Sequence, residues 1–219
     1  MNTASPNRAH GILLFALVAA AVATYTPLFI TGGAGAFDFW WWMAANIVGL
    51  TGVAAIFDRS FRTTLRDDLR SGRLRKVLLG LWSAALLYIV FAAGNILSRR
   101  LLNFAGSDIS AVYDFKTGAS GVRIALLMVL VIGPGEELFW RVFLQRALAD
   151  RHGALRGWIL TTLLYTLIHA GSGNVMLMLA ALVCGAVWGG LYYRFKSPLL
   201  NVVSHTAWDV AVFLLFPFT

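Results

Sequence analysis

Apolar residues along this chain fall in long, nearly unbroken runs separated by short polar or basic stretches. A helix that crosses the roughly 30 Å hydrocarbon layer of a bilayer needs about 20 consecutive, mostly apolar residues. Seven runs meet or approach that length: 11–30, 38–57, 77–97, 122–147, 155–170, 174–193 and 198–216. The fifth is short for a span. The pattern predicts an all-α fold, a polytopic transmembrane helix bundle of about seven spans. It predicts one integral-membrane domain over residues 1–219, with its chemically distinctive half at about 120–216. Trp40, Trp41 and Trp42 open the second run, where aromatic residues anchor a span at the interface. Two connections carry a pattern of their own. Phe61, Leu65 and Leu69 stand four residues apart within 60–72, which predicts an interfacial helix with a cationic face. The mixed segment 98–121 is compatible with a plain loop or with a short amphipathic surface helix. The first run follows Arg8, as in a signal peptide, but it is long enough to span and further spans follow.

Composition agrees with the pattern. Of 219 residues, 59% are hydrophobic and 13% charged, against about half and a quarter in a soluble domain. The formal net charge of +8 would raise nucleic acid as a partner of a soluble protein. Here the basic residues sit between apolar runs, without a recognition motif and with little aromatic interleaving. Nucleic acid is therefore not expected as a partner, and membrane lipids with anionic headgroups are. Arg59, Arg62, Arg66, Arg70, Arg73, Arg75 and Lys76 precede the third run. Arg146, Arg151 and Arg156 follow the fourth, and Arg194 and Lys196 precede the seventh. With Arg8, all fall on one side if the N-terminus is cytoplasmic, so the loop bias predicts N-terminus in and C-terminus out. Arg99, Arg100, Lys116 and Arg123 fall on the other side. The expected location is a bacterial or archaeal cell (inner or plasma) membrane. The single cysteine, Cys184, forms no intrachain disulfide and is expected to pack as a small hydrophobe.

Ionisable side chains inside a span are costly and mark function more often than structure. The first three runs have essentially none, apart from Asp38 at a boundary; the last four have several. The fourth reads Gly133-Pro134-Gly135-Glu136-Glu137, with Arg141 four residues beyond Glu137. That spacing puts Glu137 and Arg141 on one helix face, where they can pair. Glu136 is turned about 100° away and is left free to exchange a proton. Gly-Pro-Gly just before it loosens or kinks the helix, making room for water. His169 closes the fifth run. His205 and Asp209 stand four apart on one face of the seventh. A structural salt bridge with one snorkelling Glu, a core histidine, and a self-contained His–Asp pair are the bland explanations of each element alone. Together, two Glu, one Arg, two His and one Asp lie within about 75 residues.

These elements resemble the CAAX protease and bacteriocin-processing family, also called the Abi family, of polytopic membrane peptidases. Its pattern is E-E-x-x-x-R, F-x-x-x-H and H-x-x-x-N or D on three helices. It is met here by Glu136, Glu137 and Arg141; by His169 with Tyr165 in place of the usual Phe; and by His205 and Asp209. Asp209 stands where the eukaryotic CAAX proteases have Asn, which weakens transfer of their prenyl-protein substrates. The resemblance covers about residues 120–216. It implies an intramembrane endopeptidase with catalytic residues Glu136, Glu137, Arg141, His169, His205 and Asp209, acting on a membrane-embedded or lipid-anchored protein or peptide. Glu136 would activate water with help from His169, and His205 with Asp209 would position or stabilise the oxyanion. An ionised Asp209 cannot donate; it would instead orient His205 or stay protonated.

No cofactor is expected. Two His and a carboxylate suit zinc, and a zinc enzyme would use Glu137, His169 and His205, but no H-E-x-x-H is present and a metal-free glutamate site is favoured. Two non-peptidase alternatives are a membrane scaffold or immunity protein of the same fold and an ion-coupled transporter, since buried acid–imidazole chains also relay protons. No pair of broken helices in matching halves supports transport. For straight helices Glu136 falls at mid-membrane, His205 about 10 Å in from its helix start and His169 at the far end of its own. Those depths disagree unless a helix is kinked, tilted or begins below the surface.

Overall fold

The computed structural model describes residues 6–34 and 37–218. The side chains of Arg8 and Arg59, which enter the charge pattern above, lie outside the described set. Helix α1 (Pro6–Thr31) is joined to α2 (Phe39–Phe57) by a two-residue antiparallel ribbon, β1 (Gly33–Ala34) with β2 (Phe37–Asp38). Asp38 closes the ribbon and caps α2, its carboxylate accepting from the N–H groups of Trp40 and Trp41, the usual way to satisfy donors at a helix start. The same carboxylate pairs with Arg123. Helices α3 (Arg59–Asp68), α4 (Arg73–Leu101) and α5 (Ala105–Asp114) follow. A continuous helical stretch, α6, covers residues 121–152, and α7 is Ala154–Ile168. After a 3₁₀ turn at His169–Ser172 come α8 (Val175–Phe195) and α9 (Pro198–Val210), which carries on in wide π turns over Ala211–Leu215.

Each of the seven predicted runs is helical over most of its length, and the all-α membrane bundle is what the chain forms. Among the described residues five helices are long and apolar enough to cross a bilayer: Gly11–Thr31, Phe39–Phe57, Arg73–Leu101, Val175–Phe195 and Pro198–Leu215. The other two differ for physical reasons. Helix α6 carries Glu136, Glu137, Arg141 and Arg146 inside its apolar stretch, and α7 has only 15 residues, about 22 Å of helix. Segment 98–121 resolves into α5, and 60–72 into α3 with Phe61 buried and Arg62 and Arg66 exposed. One aromatic departs from expectation. Trp40 is buried, its indole N–H donating to the Phe115 carbonyl, while Trp41 stays exposed. Only part of the tryptophan cluster is therefore available as an interfacial anchor.

Helix α4 presents Leu78, Leu81, Trp82, Leu86, Ile89 and Leu97 outward, an apolar face suited to lipid. Its inner side runs along α9. A side chain at Gly80 would meet the Leu200 carbonyl at 2.8 Å and Val203 at 2.9 Å, so the two backbones nearly touch there. Helices α6 and α7 form a hairpin about Gly153, which takes a φ of +89° that only glycine adopts freely. A Cβ at Gly157 would lie 2.5 Å from the Ala149 amide, so the arms close at once after the turn.

Pro134 shapes α6. It lacks an N–H, and its ring clashes with the carbonyl four residues back in a regular α-helix. The helix widens to accommodate it. Met128–Ile132 form π turns, and the Gly133 N–H bonds the Met128 carbonyl five residues back. A second π segment spans Glu137–Gln145. Such insertions occur frequently at functional sites.

Candidate active site

Glu136, Glu137 and Arg141 are each at most 1% exposed. No bulk water stabilises these charges, so each needs a partner. Glu137 is fully engaged. One oxygen accepts from His205 Nδ1 at 2.7 Å. The other accepts from Asn201 Nδ2 at 2.8 Å and lies 3.4 Å from Arg141 Nε. The guanidinium also sits over the rings of Tyr165 and Trp188, at 5.0 and 5.9 Å from their centroids. Charge and π faces hold it, rather than close hydrogen bonds.

Glu136 is held more loosely. The Tyr165 hydroxyl donates to one oxygen at 3.0 Å, and the Tyr25 hydroxyl approaches the other at 3.5 Å. His205 Nε2 lies 3.8 Å from Glu136 and 3.4 Å from Asp209. The His205 ring stacks on Trp188 with centroids 3.6 Å apart, which fixes its plane. Since Nδ1 faces a carboxylate, it carries the proton, and Nε2 is the nitrogen presented to Glu136 and Asp209. His169 is fixed in the same way. Its Nδ1 faces the Tyr165 carbonyl at 2.8 Å, an acceptor only, so the neutral ring keeps its lone pair on Nε2. Phe29 of α1 packs on that ring at 4.6 Å.

These groups border a cavity of about 540 Å³. Glu136, Tyr165, His169, Trp188, His205 and Asp209 line its polar end, together with Cys184. Its remaining walls are almost wholly apolar and come from α1, α2, α4, α5, α6, α8 and the end of α9. Glu137 and Arg141 are not in the lining; they stand behind it. The six residues singled out in the sequence thus divide into four that face the cavity and two that brace the wall. Cys184 is buried, as expected of a small hydrophobe, and it faces the same space.

The mismatch in depth between Glu136 and His169 disappears once α6 and α7 are measured from their shared turn. Glu136 stands 17 residues before Gly153 and His169 16 residues after it, about 25 Å along each arm. In an antiparallel hairpin the two are level. Counting each helix separately from a membrane surface hides this.

Among the described residues no three His, Cys, Asp or Glu side chains come together as a metal-binding group. Of the set considered for zinc, Glu137 and His205 meet at 2.7 Å, but Glu137 stands behind the cavity lining while His169 faces the cavity.

Two participants escaped the sequence-based reading. Asn201 donates to both Glu137 and the Trp188 carbonyl, at 2.8 and 2.7 Å. It stands four residues before His205, so Asn201, His205 and Asp209 form one polar stripe at helical spacing, a legible signal. Tyr25 sits in an apolar run 111 residues from Glu136 and carries no such signal.

The fold and this centre define a class: a polytopic membrane protein with carboxyl and imidazole groups at the polar end of an apolar cavity and a buried guanidinium behind them. Residues 118–211 match the Rce1-like family model, described as type II CAAX prenyl endopeptidase Rce1-like. In this motif-bearing segment the chain is similar to the CAAX proteases, and its long apolar helices are those of an integral membrane protein. No curated protein and no solved structure gives a match to the chain.

Proposed function

We propose that the chain is an intramembrane endopeptidase in which Glu136 activates the attacking water. One observation carries this: Glu136, His169, His205 and Asp209, from three parts of the chain, border the same cavity, and Glu136 alone of the two glutamates faces it. A base, donors aimed at developing charge and restricted access by bulk water are what peptide hydrolysis needs.

In the proposed sequence, water at the polar end gives a proton to Glu136 while its oxygen attacks the scissile carbonyl carbon. His169 Nε2, the lone-pair nitrogen, orients that water. The carbonyl π pair moves onto oxygen, and the resulting oxyanion is stabilised from the His205–Asp209 side. Collapse of the tetrahedral species breaks the C–N bond, and Glu136 returns the proton to the leaving amine. His205 donates from Nε2 when protonated; a protonated Asp209 donates directly. Glu137 and Arg141 keep His205 in place. The substrate is a membrane-associated protein or peptide, since the cavity walls are apolar and the matched family acts, by its description, on CAAX prenyl proteins.

Kinetics in proteoliposomes with a quenched farnesylated CAAX peptide test this. Glu136→Gln is expected to lower kcat by about 10²–10⁴-fold in a protein that still folds, and chelators to leave the wild type unchanged. Full activity of Glu136→Gln removes the base; loss in chelator with recovery in zinc overturns the metal-free mechanism.

A further inference from the structure

Tyr165 touches both groups proposed to act on the attacking water. Its hydroxyl donates to Glu136 at 3.0 Å, and its backbone carbonyl faces His169 Nδ1 at 2.8 Å. The ring is gripped on several sides. Trp140 meets it edge-on at 5.3 Å, His169 lies 5.1 Å away, and Arg141 stands over its face. A second phenol, Tyr25 of α1, approaches the other Glu136 oxygen at 3.5 Å, the outer limit of a hydrogen bond. Tyr25 lies outside the matched segment 118–211 and is fully buried.

The hydroxyl at 165 is not needed for packing. Phenylalanine, the usual residue of the resembling family, fills nearly the same volume and can be buried without a partner, whereas a buried hydroxyl requires one. Here the partner is a carboxylate, and hydrogen bonds to ionised groups are the strong, orienting ones. A free glutamate side chain samples several rotamers. With both oxygens engaged by phenols from two helices, Glu136 keeps one orientation toward the cavity.

We propose that Tyr165 is a positioning residue. Its hydroxyl fixes the rotamer of Glu136, its carbonyl fixes the tautomer of His169, and Tyr25 adds weaker support from α1. The inference rests on Glu136 acting as the base.

The test uses the full chain in proteoliposomes with the same farnesylated peptide. Tyr165→Phe is expected to lower kcat about tenfold or more, the effect of losing a hydrogen bond to a charged group, with KM and Tm close to wild type. Tyr25→Phe is expected to lower kcat less, in line with its longer contact. Wild-type kcat in Tyr165→Phe overturns the proposal, as does a loss confined to KM or to Tm, which is what a packing role produces. Glu136→Gln in the same assay separates the two claims. If it is inactive while Tyr165→Phe is unimpaired, only the positioning role fails. If it is active, the base assignment falls and this inference with it.

Discussion

Arg141 is a full positive charge at most 1% exposed, and among the described residues its close counter-charge is Glu137. Breaking a buried pair leaves the surviving charge without compensation and costs about 3–5 kcal/mol, whereas replacing both members by neutral groups of similar size is often nearly neutral. Arg141→Met alone is therefore expected to lower thermal stability in detergent by that amount. Glu137→Gln with Arg141→Met is expected to recover most of the loss without recovering activity, because His205 Nδ1 has lost its carboxylate. A double variant as unstable as the single one contradicts this division of roles. At this scale, side chains on one helix were legible in the sequence: four-residue spacing alone puts Glu137 beside Arg141 and His205 beside Asp209. Asn201 carries the same spacing but no charge, so a search for ionisable groups passes over it. Contacts that cross the bundle, such as Tyr25 to Glu136, depend on how helices dock, and one sequence does not encode that in any local period.

Among the elements, the α6–α7 hairpin sets the depth of the site. Its arms are level because Gly153 turns the chain and Gly157 lets α7 lie against Ala149 without a Cβ between them. Alanine at 157 is favoured by helix propensity by up to about 1 kcal/mol. The close approach opposes this, since overpacking costs about 1–3 kcal/mol. We expect Gly157→Ala to lower both Tm and activity. Gly49→Ala serves as control, because a Cβ there meets nothing within 4 Å, and it should leave both unchanged or raise Tm. Equal behaviour of the two variants refutes the hairpin argument. Helix existence was readable from apolar runs, because burial in lipid demands length and hydrophobicity and little else. The π turns of α6 were not. Gly-Pro-Gly signals a disturbance, but whether a helix kinks, breaks or widens is decided by what packs around it, here α9 and α2.

For the molecule as a whole, the arrangement is an apolar exterior, a bundle, and a cavity lined by Glu136, His169, His205 and Asp209 with mostly apolar walls beside them. The first half of the chain, legible only as apolar helices, proves to supply much of that cavity. Phe29, Phe39, Phe91 and Tyr113 face it, although none lies in the segment that carries the family match. The proposed protease would act on proteins that already reside in or on the membrane. The most direct measurement compares the termini of membrane proteins in cells that lack the chain, express it, or express Glu136→Gln at equal level. New termini that appear only with the wild-type chain are the predicted result. Identical termini in all three, or termini that persist with Glu136→Gln, would contradict it.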